Sequence, residues 1–361
     1  MDQALARLVD QVRTARSQGT ALDIRGGGTK AFYGGVPAGE PLDLRELAGV
    51  SSHEPSELVV TARAGTPLAE LEAVLADQGQ CLPFEPPRFG ADSTVGGMVA
   101  AGLAGPARAA AGGVRDYVLG ATMLNGRGEV LTFGGQVMKN VAGYDVSRLL
   151  AGSLGVLGVI CEVSLKVLPR PPATATLRFE LDQAQAIGRL NEWGGQPLPL
   201  NASAWWRGTL ALRLSGAAAA VHAAAEQLGG EAVDPALADA FWNGLRDQRD
   251  EFFAAARAAV DAGATLWRLS LPPAAPPLAL AGDPLVEWGG AQRWLVTDSP
   301  ADTVRGAAAA AGGHATMFRG GDRAGGVFAP LSPALARIHR ELKAAFDPDR
   351  VFNRGRLVPG L

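Results

Sequence analysis

Apolar positions change period several times along this chain. Leu5, Leu8, Val9 and Val12 recur at helical spacing across residues 3–18, and Ala21-Leu22-Asp23-Ile24-Arg25 alternates as a strand. Residues 57–62 read as a second strand. Leu68, Leu71 and Leu75 then share one face of a helix after Gly65-Thr66-Pro67, so the first 78 residues predict a small α+β unit. A Pro/Gly-rich entry follows, then a Gly/Ala-rich helix near 95–104 and strands at 118–124 and 129–133, with Asn125-Gly126-Arg127-Gly128 as the hairpin between them. A helix near 144–151 and a β-branched strand over 159–167 complete a second unit.

Beyond Leu168-Pro169-Arg170-Pro171-Pro172 the pattern shifts. A strand at 174–180, a helix at 182–193, strands at 202–206 and 209–214 and an alanine-rich helix at 217–228 come first. One further helix carries Phe241, Trp242, Phe252 and Phe253, and strands fall near 265–271 and 285–297. Together these predict helices layered over an antiparallel sheet. Residues 346–356 fit no regular element.

Composition narrows the possibilities. The 361 residues exceed one ordinary core, and 47% hydrophobic with 19% charged residues describes a folded globular chain. The net charge is −3 and no Lys/Arg block can track a nucleic-acid backbone, so no nucleic-acid partner is expected. The amphipathic start reads as neither a signal peptide nor a span, and no apolar run reaches membrane length. Cys81 and Cys161 lack metal or redox spacing, which predicts buried thiols and a cytoplasmic protein. The tryptophans beyond residue 190 serve either as core or as interface anchors.

The most chemically suggestive segment is Arg25-Gly26-Gly27-Gly28-Thr29-Lys30, directly after a strand. Consecutive glycines permit positive φ and expose backbone N–H groups, forming an anion nest, and Arg25 and Lys30 bracket it with positive charge. The spacing Gly26-x-Gly28-x-x-Ala31 imitates a dinucleotide fingerprint, but Phe32 to Pro37 cannot continue the helix that a Rossmann turn requires. No Gly-Lys-Ser/Thr exists for a P-loop. An ordinary glycine turn remains the alternative. Thr94-Val95-Gly96-Gly97 offers a hydroxyl and bare backbone at a helix start, Lys139 to Asp145 mixes polar groups with glycine, and residues 152–160 are glycine-punctuated and apolar; each is also compatible with plain packing or a solvated loop.

In this order and spacing, RGGGTKAFYGG, LPFEPPRFGADSTVGGMVAAGLAGP, the run from Gly112 to Pro169 and the terminal FDPDRVFNRGRL resemble the PCMH-type FAD domain of the vanillyl-alcohol oxidase superfamily. Within it the chain is similar to the E-type subunits of bacterial glycolate oxidase. The resemblance implies an α+β fold: a PCMH-type FAD-binding domain over 1–172 with two α+β subdomains, about 1–78 and 79–172, then a cap domain of antiparallel sheet and helices over 173–340, and a tail over 341–361 returning to the FAD domain. It also implies site residues. Arg25 to Lys30 take the pyrophosphate loop, Thr94, Gly96 and Gly97 the second FAD loop, Gly155, Gly158 and Ile160 the glycine-rich return, and Asn353 the tail asparagine. The proline usual after that asparagine is Arg354 here, which leaves the local turn open.

Departures from the wider family shape the expected mechanism. Thr29 stands where covalent members carry His, which implies non-covalent FAD. The His-rich cap cluster of catalytic relatives is missing: His53, His222, His314 and His339 are scattered. No metal is expected, and no catalytic residue is assigned. Arg319 and Arg323 beside Gly320-Gly321 are either solvated charges or a carboxylate site. The expected role is an FAD-binding subunit of a complex that oxidises glycolate to glyoxylate, with a catalytic flavin subunit and an iron-sulfur subunit as partners and any membrane association arising through them. A stand-alone 2-hydroxy-acid dehydrogenase and a structural subunit that has lost FAD are the alternatives.

Overall fold

The computed structural model describes residues 2–135 and 145–361. The opening helix, Gln3–Gln18, is capped by the Asp2 carboxylate at its start and by left-handed Gly19 at its end, and it buries Leu8, Val9 and Val12. The strand Leu22–Arg25 then pairs in parallel with Glu40–Asp43, a strand that the alternation did not reveal. It is short and half exposed, so its pattern carries little signal.

A five-stranded antiparallel sheet runs in the order Val50–Glu54, Val59–Arg63, Val159–Lys166, Val118–Leu124, Val130–Gly134. It takes strands from both sides of residue 78. The helices Leu68–Asp77 and Val95–Ala101 cover it, with Leu68, Leu71, Leu75, Val95 and Met98 in one core with Val60, Val163 and Leu165. Asn125 builds the hairpin turn, its carboxamide oxygen accepting from the backbone of Arg127 and Glu129.

The cap is an eight-stranded antiparallel sheet spanning Ala173–Glu180 to His314–Arg319. Two of its sequence-predicted elements divide. The helix expected to carry four aromatics is two helices, Pro235–Arg246 and Glu251–Asp261, because Gln248 turns left-handed and Asp250 caps the second helix by accepting from Phe253 N–H. The strand near 285–297 is Leu285–Glu287 and Gln292–Thr297, separated by a turn at Trp288–Gly290 with positive φ throughout. Trp193, Trp205, Trp242, Trp267 and Trp294 are buried, so core packing accounts for most of the tryptophans. Cys161 is buried too, which pushes its thiol up to about 12.

The final helix, Pro333–Phe346, delivers the tail back to the first domain. Buried Asp347 accepts from Val351 N–H and Phe352 N–H, and Lys343 donates to Asp347 at 2.7 Å and to the carbonyls of Val156 and Phe352. Phe352 consequently lies beside Leu22 in a parallel bridge. Among the described residues no helix is long and apolar enough to cross a membrane.

Candidate functional site

The strand Leu22–Arg25 ends at the mouth of a cleft of about 340 Å³. Every expected site residue lines it: Arg25, Gly26, Gly27, Gly28, Thr29 and Lys30 on one wall, Thr94, Gly96 and Gly97 on the next, Gly155, Gly158 and Ile160 behind, and Asn353 from the tail. Local chemistry explains how these segments meet. A Cβ on Gly26 would collide with the Thr94 side chain, so glycine is what lets the two loops touch. Gly28 has φ +70°, and a Cβ there would meet no protein atom within 4 Å, so its hydrogen keeps free space beside exposed backbone.

Thr94 is itself anchored. It is the N-cap of Val95–Ala101, its hydroxyl accepting from Gly97 N–H at 3.2 Å, which fixes the direction of that helix start. Asn353 is the clasp between distant parts: its side-chain oxygen accepts from Ile24 N–H at 2.8 Å and its amide donates to the Leu154 carbonyl at 2.7 Å. The turn left open by Arg354 is closed by Arg356 N–H donating to the Asn353 carbonyl, while the Arg354 side chain reaches the Arg350 carbonyl instead.

The two flanking cations are held by the protein. Arg25 Nε donates to the Asp23 carboxylate at 2.5 Å, and Lys30 Nζ donates to Ser93 Oγ at 2.7 Å. Burial lowers Lys30 to about 8, so its charge is adjustable near neutrality. Sequence reasoning missed Arg356, whose buried guanidinium lines the cleft and donates to the carbonyls of Ala31, Tyr33 and Gly35. The signal was available, since Arg356 stands three residues after Asn353 in the same tail motif. Leu44 and Ala100 also line the cleft, and nothing in their local sequence marks them.

The lining suits a bulky, anion-bearing cofactor: free backbone N–H groups at a glycine run, and apolar walls from Ile160, Leu44 and Leu154. The Lys139 to Asp145 segment lies outside the described residues as far as Tyr144. The four histidines do not converge: His53 bonds to Gln80, His222 to Glu226, and His314 and His339 stand elsewhere. Among the described residues no group of His, Cys, Asp and Glu could hold a metal ion.

Comparison with known proteins agrees with this geometry. Residues 4–134 match the FAD binding domain family. Alkyldihydroxyacetonephosphate synthase shares the fold at TM-score 0.64 with 15% identity, covering 96% of this chain and 75% of that one. Glycolate oxidase subunit GlcD of Bacillus subtilis is 30% identical over 155 residues, 42% of this chain and 33% of that protein. Glycolate oxidase subunit GlcE of Escherichia coli is 49% identical over 354 residues, 98% of this chain and 97% of that protein. The cleft-forming segments and the full-length likeness lead to one conclusion: the chain belongs to the GlcE family of glycolate oxidase subunits and carries an FAD-binding domain of α+β fold.

Proposed function

We propose that this chain is an FAD-binding subunit of an oxidoreductase complex that converts glycolate to glyoxylate, holding FAD non-covalently in the cleft between Gly26–Lys30, Thr94, Gly155 and Asn353. The observation that carries the reading is the convergence of these four distant segments on one cleft, in a chain similar over nearly its whole length to a glycolate oxidase subunit. When bound, FAD supplies a two-electron acceptor. The chain's own residues would position it: the free backbone at Gly26 to Gly28 would face the pyrophosphate, Thr94, Gly96 and Gly97 would form a small-residue wall in which the Gly96 and Gly97 N–H groups are already bonded within the protein, and Asn353 keeps the walls together.

Thr29 offers no nucleophile of the kind that forms a stable flavin bond, hence the non-covalent attachment. No described group is placed as a base for a substrate hydroxyl, so this chain supports or relays electrons for a related catalytic flavin subunit, and an iron-sulfur subunit accepts them. The complex lies in the cytoplasm or at a membrane through its partners.

The test is the absorbance spectrum of the chain purified alone and with its partners. A flavin band in both, released into the supernatant by acid precipitation, is the expected result. In Gly28→Val, which adds bulk to the open cleft and strains a positive φ, the band should fall by about tenfold or more with the fold intact. A colourless chain that takes up no added FAD refutes the reading, and colour that stays in the pellet refutes the non-covalent part. Anaerobic bleaching by glycolate without partners would instead favour a self-sufficient dehydrogenase.

A further inference from the structure

A second cleft, of about 530 Å³, opens where the FAD-binding domain meets the cap, and it shares no lining residue with the first. Four guanidinium groups line it: Arg88 from the first domain, and Arg249, Arg257 and Arg319 from the cap. Asp247 is the single carboxylate of its lining, and that group is already engaged by Arg246 at 2.9 Å, Arg249 at 3.1 Å and the Arg88 backbone N–H at 3.0 Å.

The remaining positive charge is only partly balanced, Asp250 attracting Arg257 with no ion pair between them among the described residues. Arg88 pairs with Glu72, yet its Nε is buried with no hydrogen-bond partner among the described residues. Among the described residues Arg257 donates to the Gln248 carbonyl alone. Arg319 has neither a carboxylate nor a carbonyl partner among the described residues; its guanidinium carbon lies 3.5 Å from the centre of the Phe32 ring. Asp261 is near enough to attract Arg319 but makes no ion pair with it. Burial, together with the charges of Arg257 and Arg323, pushes Arg319 down to about 10.

Like charges gathered in a partly desolvated cleft repel one another, and an anion seated among them removes that cost. A guanidinium stacked on a ring keeps its N–H edge free for in-plane acceptors, the geometry that suits a carboxylate. The cleft also has an apolar side, made by Phe89, Ala69 and Ala91, which inorganic phosphate has no use for and a carbon chain does.

We propose that this cleft binds a short-chain organic carboxylate, separately from the cofactor cleft, with Arg319 and Arg257 on the carboxylate and Phe89 against its carbon chain. The site goes beyond the cofactor role above and does not depend on it. The two clefts adjoin at Lys30, which lines the first and whose Nζ donates to Ser93 Oγ at 2.7 Å and to the Arg88 carbonyl at 3.4 Å, both residues of the second.

The test is calorimetric titration of the full chain with succinate, which has no hydroxyl to oxidise, at low salt and with and without FAD. Saturable binding in both states is expected, with inorganic phosphate about tenfold weaker or more, and with Arg319→Met and Arg257→Gln each weakening succinate about tenfold or more. Arg207→Met, which alters an exposed cation paired with Asp283 elsewhere on the cap, should bind as the unaltered chain does. Arg257 is on an exposed helix face, so its variant carries the test if Arg319→Met does not fold. Absence of binding, phosphate as tight as succinate, variants that bind normally, or exclusion of succinate by FAD would each overturn the proposal. Failure of the FAD reading is seen separately, as a missing flavin band in a chain that still titrates with succinate.

Discussion

Lys30 shows how one residue couples burial, charge and ligand affinity. Its ammonium is nearly enclosed, and desolvation brings it to about 8 while Ser93 Oγ holds it in place. An anionic pyrophosphate in the cleft that Lys30 lines would favour the protonated form, so an FAD-bound chain would have the higher Lys30 pKa. Affinity for FAD should therefore be flat below pH 8 and fall as pH rises above it, with Lys30→Met weaker at pH 7 and flat across the range, as read by flavin fluorescence titration. The FAD-free chain has the opposite slope. Between pH 8 and the ordinary lysine value of 10.5 the unfolded state binds more protons than the folded one, so this residue's contribution to stability rises with pH there.

The helix Pro333–Phe346 supplies no residue to the cleft, yet it positions the tail that does. Leu335 and Ile338 are exposed on it, while Lys343, near its end, is buried. Burial pulls the Lys343 ammonium below its ordinary range, Asp347 pulls it back, and Asp347 in turn fixes the two backbone N–H groups that lead Phe352 and Asn353 to the first strand. Lys343→Met would leave Asp347 as a fully buried charge with no cationic partner. It should destabilise the chain by about 3–5 kcal/mol in chemical denaturation. Because Asn353 loses its support, flavin retention should fall at temperatures where the rest of the fold still stands.

At the scale of the whole molecule, the cap is tied to the FAD-binding domain by polar bonds across the seam: Arg213 to Glu85 at 2.7 Å, Trp288 Nε1 to the Gly105 carbonyl at 3.0 Å, and Arg268 to the Tyr33 hydroxyl at 3.0 Å. Behind the seam, Glu287 is fully enclosed and accepts from Trp294 Nε1 at 2.5 Å and Gln292 Nε2 at 3.0 Å. Burial raises it to about 7 despite those two donors. Between the ordinary value of 4.5 and about 7 the folded state binds more protons than the unfolded one, so its contribution is full below 4.5 and is lost as pH rises through 7. Glu287→Gln keeps an acceptor for both donors and removes the charge. It should raise Tm at pH 8 and change it little at pH 5; an equal shift at both would disprove the assignment.

What the sequence determined by itself was local. The glycine run after a strand, the periodic leucines at 68, 71 and 75, the Asn-Gly hairpin and the tail motif are each written in neighbouring residues, because φ preference, helical spacing and side-chain capping act over a few positions. Through family resemblance those local marks also named the residues that meet in the cleft. Tertiary structure decided what depends on contact between distant residues. It brought Thr94, Gly155 and Asn353 to the Gly26 loop, added Arg356 by pairing its guanidinium with carbonyls some 320 residues earlier, and ended a helix at Asp247 whose carboxylate serves Arg88 in the other domain. It also gathered Arg88, Arg257 and Arg319 around one cleft. Periodicity sees neither that arrangement nor its unbalanced charge, because each arginine is unremarkable in its own segment and the repulsion exists only between segments that folding makes neighbours.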